Sequence, residues 1–309
     1  MEEFQESLTK DTHSRIEIRS ALHADIPSVI YHYTSTQGLL GIFSSSRLWA
    51  THYKFLNDES EISYALNILK RLIETKAEDV SNEIIATFLK RILQTANPFD
   101  GMFDCYITCF CSNGDALTQW RSYTESGGGY AIGMKARELG MRWNIEHPSQ
   151  EVYLRKVTYD SNKQEELLKE VLDKTISILE HYTNGMSVSD ANTYIGISCG
   201  HFRQEIAEYI ISFKHPAFES EQEWRLCHIV ATHEEAGVEF RSGEYGLTPY
   251  VAIDPSPMAG VNANKLPIAE VKFGPSTNPS GTRLGLSKLL KSKSYSFVEI
   301  TSTNLPVRV

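Results

Sequence analysis

Helical and strand-like apolar patterns occupy different stretches of this sequence, and that separation constrains the fold more than any single motif. Apolar residues recur at helical spacing at Ile62, Ala65, Leu66, Leu69, Leu72 and Ile73, and continue after a break through Ile84 to Leu93. The same spacing returns between Gln164 and His181, at Leu168, Val171, Leu172, Thr175, Ile178 and Leu179, and again from Phe202 to Phe213. Short β-branched and aromatic runs stand at Val29 to Tyr33, Arg47 to Thr51, Asp104 to Ser112, Gly129 to Met134 and Tyr153 to Tyr159, and later in EWRLCHIV, PYVAID, AEVKFGP and YSFVEIT. Strands near both ends around a helical middle predict an α+β chain whose sheet is assembled from distant segments. The expected organisation is a polar N-terminal arm over residues 1–27, then a single domain over 28–309 with a helical insertion at about 160–214. Ser35 and Thr36 offer a hydroxyl cap to a short helix at Gly38 to Phe43, and a capped helix is expected near Thr282 to Leu290. In KFLNDES, Asp58 followed by Glu61 outlines a capping box, and Asn57 beside them is either part of that cap or a substrate contact.

Composition narrows the functional classes. The net charge of -9 and pI of about 5.6 disfavour the broad basic surface that non-specific nucleic-acid binding needs. Five irregularly spaced cysteines without a Cys-x-x-Cys pair suggest neither a zinc ribbon nor a disulfide framework, and fit reduced, buried thiols. The charged N-terminus lacks the apolar core of a signal peptide, and no apolar run approaches a membrane span, so a cytoplasmic location is expected. GGGYAIGMK has neither phosphate-loop nor dinucleotide-fingerprint spacing and reads as a turn entering a strand. H-E-x-x-H and G-x-S-x-G are absent, and the ten histidines do not pair at ligand spacing, so no metal site is expected.

Two features remain. His32 stands in the middle of the β-branched and aromatic run IYHYTS, where a strand ordinarily takes Val or Ile. In FESEQEWRLCHIV, Glu219, Glu221, Glu223 and Arg225 alternate, and period-two geometry predicts one shared face. Stacked carboxylates repel unless Arg225 or a ligand compensates them; the plain alternative is a solvated edge strand guarded by charge. Trp120, Arg121 and Tyr123 are either pocket residues or core.

YHYTS with Gly38, LWATHYKFLNDESE, CFCSNGDALTQWRSY followed by GGGYAIG, and KHPAFESEQEWRL occur in that order. With LPIAEVKFGP and NLPVRV near the end, they resemble a bacterial family called domain of unknown function 2971, from about residue 28 onward. More distantly, the chain resembles ADP-ribosyltransferases of the His–Tyr–Glu plan, whose DNA-targeting toxin branch also opens with a strand histidine. That resemblance implies a split β-sheet or sandwich core with flanking helices that takes NAD as a substrate. His32 would then bond the nicotinamide-side ribose, Thr34 and Ser35 would contact the adenosine half, and Tyr33 would be a further NAD contact. Tyr53 would be the best placed to stack on nicotinamide, a role that could also belong to Trp49, Trp120 or Tyr123, with Asn57 a further contact. Glu223 would stabilise the oxocarbenium-like transition state and Glu221 would orient an acceptor, although the resemblance leaves the choice between them open. Its implied partners are NAD and a macromolecular acceptor, protein ahead of nucleic acid, with an antitoxin or activator and no membrane. An NAD glycohydrolase and a non-catalytic ligand-sensing or protein-interaction module are the alternatives.

Overall fold

The computed structural model describes residues 1–10, 26–56, 60–123, 128–139, 152–232, 237–243, 246–254 and 265–305. Its elements, in chain order, are α1 (2–10), β1 (Val29–Thr34), α2 (Thr36–Ser45), β2 (Leu48–His52), α3 (Ser60–Glu78), α4 (Glu83–Gln94), β3 (Phe103–Cys111) and α5 (Leu117–Tyr123). These are followed by β4 (Tyr130–Lys135), β5 (Val152–Lys156), α6 (Ser161–Thr183), α7 (Asn192–Ile210), β6 (Glu223–Ala231), β7 (Val238–Gly243), β8 (Gly246–Ile253), β9 (Ile268–Phe273), α8 (Pro279–Ser292) and β10 (Glu299–Ser302). The chain is α+β, and it divides into two compact units.

The first unit gathers the described residues of Met1–Asp25, Asn57–Phe103 and Thr158–Ala217, and is helical. The helices expected around residues 160–214 are present, and α3 and α4 share their unit. Helix α4 starts where Asn82 accepts from the Ile84 and Ile85 amides, and it buries Ile84, Ile85, Phe88, Leu89 and Ile92 on one face. The start of the expected polar arm is helical, since α1 buries Phe4 and Leu8 against Ile178, with Phe4 edge-on to Tyr182 at 5.4 Å. Glu61 of the expected capping box is buried and lies 2.9 Å from the Lys214 ammonium. Its capping partner Asp58 lies outside the described residues. Beside that pair, the buried Gln164 donates to the Thr158 and Lys214 carbonyls and accepts from Tyr64 Oη at 2.9 Å. Each buried polar atom of that amide is thereby satisfied.

The second unit gathers the described residues of Ile26–Leu56, Asp104–Val157 and Phe218–Val309 around a mixed sheet. Its strands run in the order β10-β9-β4-β1-β3-β2-β8-β7, with β6 pairing β3 and β5. β9 and β10 are parallel, while the other registered pairs are antiparallel. The core joins Ile30, Leu48, Ala50, Phe110, Ile132 and Leu226 to Leu39, Ile42 and Phe43 of α2 and Leu286 and Leu290 of α8. β3 is where the sheet forks. One end meets β1 at Tyr31–Cys111, while its middle meets β2 at Thr51–Ile107 and His52–Tyr106. The amide of Ser112 donates to the Gln222 carbonyl at 3.1 Å and the Cys105 thiol meets Cys227, so β6 runs antiparallel along β3.

The described residues place the segment YAIGMK in β4, preceded by Gly128 at φ 103°, so the strand part of the expectation is met, while Gly127 lies outside the described residues. β7 is a strand that the sequence pattern had not separated from its neighbours. No helix among the described residues is long and apolar enough to cross a membrane.

Candidate functional site

Between its pair with β1 at Cys111 and its pairs with β2 at Tyr106 and Ile107, β3 has no registered pair with either strand. His32 reaches β3 in that interval. Its Nδ1 lies 2.9 Å from the Cys109 carbonyl, which only accepts, so Nδ1 carries the proton and Nε2 carries the lone pair. The ring also meets Phe110 edge-on at 5.7 Å. Nε2 has no protein partner among the described residues, and the side chain is half-buried. Burial pushes the imidazole below its ordinary pKa, the Cys109 bond opposes that shift, and the charge of Arg241 adds to it. The arrangement is a neutral imidazole in the fork with an available acceptor.

Arg241 comes from β7. Its Nη2 donates to Thr51 Oγ1 at 2.7 Å, and its guanidinium lies 5.6 Å from the Trp49 ring centre and 5.8 Å from that of Tyr250. Trp49 and Tyr250 themselves pack at 5.2 Å, and Tyr250 Oη donates to Glu239 at 2.6 Å. Helix α2 comes close behind Trp49 at Gly41, where any side chain would meet the indole. Neither Arg241 nor β7 was anticipated from the sequence. The available signal was VEFRS followed by Gly243 and Gly246, two β-compatible runs around a short glycine-bounded turn.

The acidic stretch is not one strand face. Residues Pro216–Glu221 form a 3-10 turn and Gln222 takes φ 45°, so alternation begins only at Glu223. Glu219 and Glu221 therefore do not stack above Glu223 on β6. Glu223 and Arg225 do share a face, and both are buried. Arg225 Nε donates to Oε1 of Glu223 at 2.8 Å and Nη2 donates to Oε2 at 3.0 Å, a two-point pair that engages both carboxylate oxygens. Arg155 of β5 lies directly opposite Arg225 in the ladder. Glu221 is half-buried, and both it and Glu223 bear on Cys111, whose thiol is pushed up to about 11, chiefly by burial. These two carboxylates consequently sit beside the end of β3 that pairs with β1.

The other expected site residues separate into groups. Tyr33 is buried with its ring on Trp120 at 4.8 Å; its hydroxyl donates to the Asn113 carbonyl and accepts from the Ala116 amide. Trp120 is buried too and donates to Asp115 at 2.8 Å, so this aromatic pair braces the turn between β3 and α5. Ser35 caps α2 by accepting from the Gly38 amide, with Thr34 preceding it in β1. Tyr53 is buried against His52, with ring centres 4.7 Å apart, which leaves Trp49 as the aromatic nearest His32's charged neighbour, Arg241. Tyr123 ends α5, although its side chain lies outside the described residues, as does Asn57. No cluster of His, Cys, Asp and Glu suited to a metal occurs among the described residues.

The class this fold and site define is an α+β protein with a forked mixed sheet and a histidine held in the fork. Residues 119–226, from α5 into β6, match the family model described as "Protein of unknown function (DUF2971)". That span covers less than half of the chain and includes Trp120, Glu221, Glu223 and Arg225, while His32 and Arg241 lie outside it. Comparison with curated proteins and with solved structures gives no match.

Proposed function

We propose that the β-rich unit has an ADP-ribosyltransferase-like split sheet and transfers ADP-ribose from NAD to a macromolecular acceptor. The observation that supports this reading best is the fork itself, with β1 and β2 parting along β3 and His32 presenting an acceptor nitrogen there. Nε2 accepts a hydrogen bond from a ribose hydroxyl. Glu221, beside Cys111 at the same end of β3, stabilises positive charge at the anomeric carbon as the bond to nicotinamide breaks. Nicotinamide leaves with the bonding electron pair, and the acceptor nucleophile bonds to that carbon and gives up its proton. Glu223, engaged by Arg225 through both oxygens, holds the entry of β6 in place.

The clamped Glu223 also favours a second reading, a module that binds the ligand without turnover, because its carboxylate is committed to Arg225. The deciding experiment incubates the protein with NAD labelled in the adenylate moiety, with and without cell lysate, alongside a direct binding measurement. Label on a macromolecule establishes the transferase. Free ADP-ribose alone identifies water as the acceptor and a glycohydrolase. Binding with intact NAD selects the non-catalytic module, and absence of both binding and turnover overturns the NAD reading. If transfer or hydrolysis is seen, Glu221→Gln lowers nicotinamide release by about 10²–10³-fold.

A further inference from the structure

Among the described residues, Arg241 is a cation with no carboxylate partner. A guanidinium has five N–H donors and stays protonated at any physiological pH. Only the bond to the Thr51 hydroxyl is formed, and no carboxylate pairs with Arg241 among the described residues. Glu239, two residues earlier on the same strand, is engaged by the Tyr250 hydroxyl instead. Thr51 is itself buried, and the faces of Trp49 and Tyr250 flank the guanidinium, limiting the water that reaches it. Arg241 is half-buried, and with no anion beside it among the described residues its remaining donors suit a ligand that brings the negative charge. A phosphate matches both the fork of donors and the neighbouring hydroxyl.

We propose that Arg241, with Thr51, is the subsite for the diphosphate of the dinucleotide, set beside the fork that holds His32. The assignment rests on the NAD reading for the identity of the ligand, while the anion site itself stands on the geometry of Arg241. Trp49 and Tyr250 keep the guanidinium oriented, so its planar edge is presented before the ligand arrives.

Isothermal titration of the full chain with NAD, ADP-ribose, inorganic pyrophosphate, nicotinamide riboside and succinate tests it, using wild type, Arg241→Gln and Arg241→Lys. A hydrogen-bonded charge contact of this kind corresponds to about ten- to a hundredfold in affinity. Arg241→Gln is expected to weaken ADP-ribose and pyrophosphate by that factor, leave nicotinamide riboside unchanged, and remove most of the salt dependence. Arg241→Lys restores charge without the fork and recovers part of the loss. Equal pyrophosphate affinity in wild type and Arg241→Gln, or no pyrophosphate and ADP-ribose binding to wild type, overturns the subsite. Competition by succinate as strong as that by pyrophosphate overturns the diphosphate assignment. Pyrophosphate binding that depends on Arg241 without any NAD binding supports the anion site and removes the NAD reading instead. Unchanged NAD affinity in Arg241→Gln has the opposite meaning.

Discussion

Glu223→Gln takes the negative charge from a pair whose members are both nearly excluded from solvent, with side-chain exposures of 2% for Arg225 and 6% for Glu223. The amide retains one oxygen for Arg225, whereas its nitrogen is a donor facing another donor. Arg155 stands opposite Arg225 in the β5–β6 ladder, so the change also removes a negative charge from a strand pair that carries two arginines. Losing one member of a buried ion pair costs about 3–5 kcal/mol, and the retained oxygen places this variant near the lower end, at about 3 kcal/mol. Replacing both members, as in Glu223→Leu with Arg225→Met, removes the desolvated charges together and is expected to restore stability to within about 1 kcal/mol of wild type. Trp49, Trp120 and Trp224 belong to the sheet-containing unit, and the fourth tryptophan, Trp143, lies outside the described residues, so tryptophan fluorescence in a urea titration reports mainly on that unit. A loss below about 0.5 kcal/mol in Glu223→Gln, with no recovery in the double variant, would show that the pair is not holding the start of β6. If NAD turnover is established, a stable double variant that still releases nicotinamide would also assign Glu223 to structure rather than chemistry.

Other expectations follow from single side chains. His32 is held below its ordinary pKa of 6.5, so the unfolded chain takes up this proton first as pH falls, and stability declines on acidification below about 6.5. His32→Gln keeps a donor for the Cys109 carbonyl and should flatten that part of the stability–pH curve; an identical slope in wild type and variant would refute the assignment. Burial pushes the Cys111 and Cys199 thiols up to about 11, so both should resist alkylation by iodoacetamide at pH 7.5 in the native protein, as read by mass spectrometry. Rapid native labelling of either would contradict that environment. Gly41→Ala would ordinarily gain about 1 kcal/mol of helix propensity, but the new Cβ lies 2.8 Å from Trp49 Cη2. The expected result is no net stabilisation, a changed indole emission and, through Arg241, weaker pyrophosphate binding. A full gain of stability with unchanged emission would show that the indole yields freely.

What could be read from the sequence depended on how local the cause was. Helices α4 and α6 write their buried faces at helical spacing, and Asn82 and Asp160 mark their starts by accepting from nearby amides, so both were legible. The expected stacking of Glu219 and Glu221 above Glu223 fails for a local reason too, but one that composition hides: Gln222 at φ 45° interrupts the alternation, and no glycine or asparagine marks the break. The buried Lys214–Glu61 pair and the approach of Arg241 to Thr51 join residues far apart in the chain, where spacing carries no signal. Sorting Tyr33 into a buried support was beyond reach for the same reason, since its partner Asn113 is eighty residues away, whereas Trp120 and Tyr53 meet the nearby Asp115 and His52 in contacts that composition does not mark.

The histidine in IYHYTS shows how a structural demand and a functional opportunity arise from one cause. Where β1 and β2 part along β3, the Cys109 carbonyl accepts a hydrogen bond from Nδ1 of His32, and a buried carbonyl that loses a donor is costly. Val or Ile at position 32 would satisfy strand propensity but supply no donor. A serine or threonine hydroxyl is carried on a shorter side chain than the imidazole that spans from β1 to the Cys109 carbonyl. Histidine makes that bond with one nitrogen, and the bond fixes the tautomer so that the other nitrogen must accept. The same substitution that repairs the fork therefore places an oriented acceptor inside it, beside the guanidinium of Arg241 that disfavours the charged form of the ring. If the proposed dinucleotide binds this unit, that coupling favours the fork as its place: a neutral acceptor, and a cation with no carboxylate partner among the described residues, are both held in the state that a hydroxyl-bearing, phosphate-bearing molecule would engage.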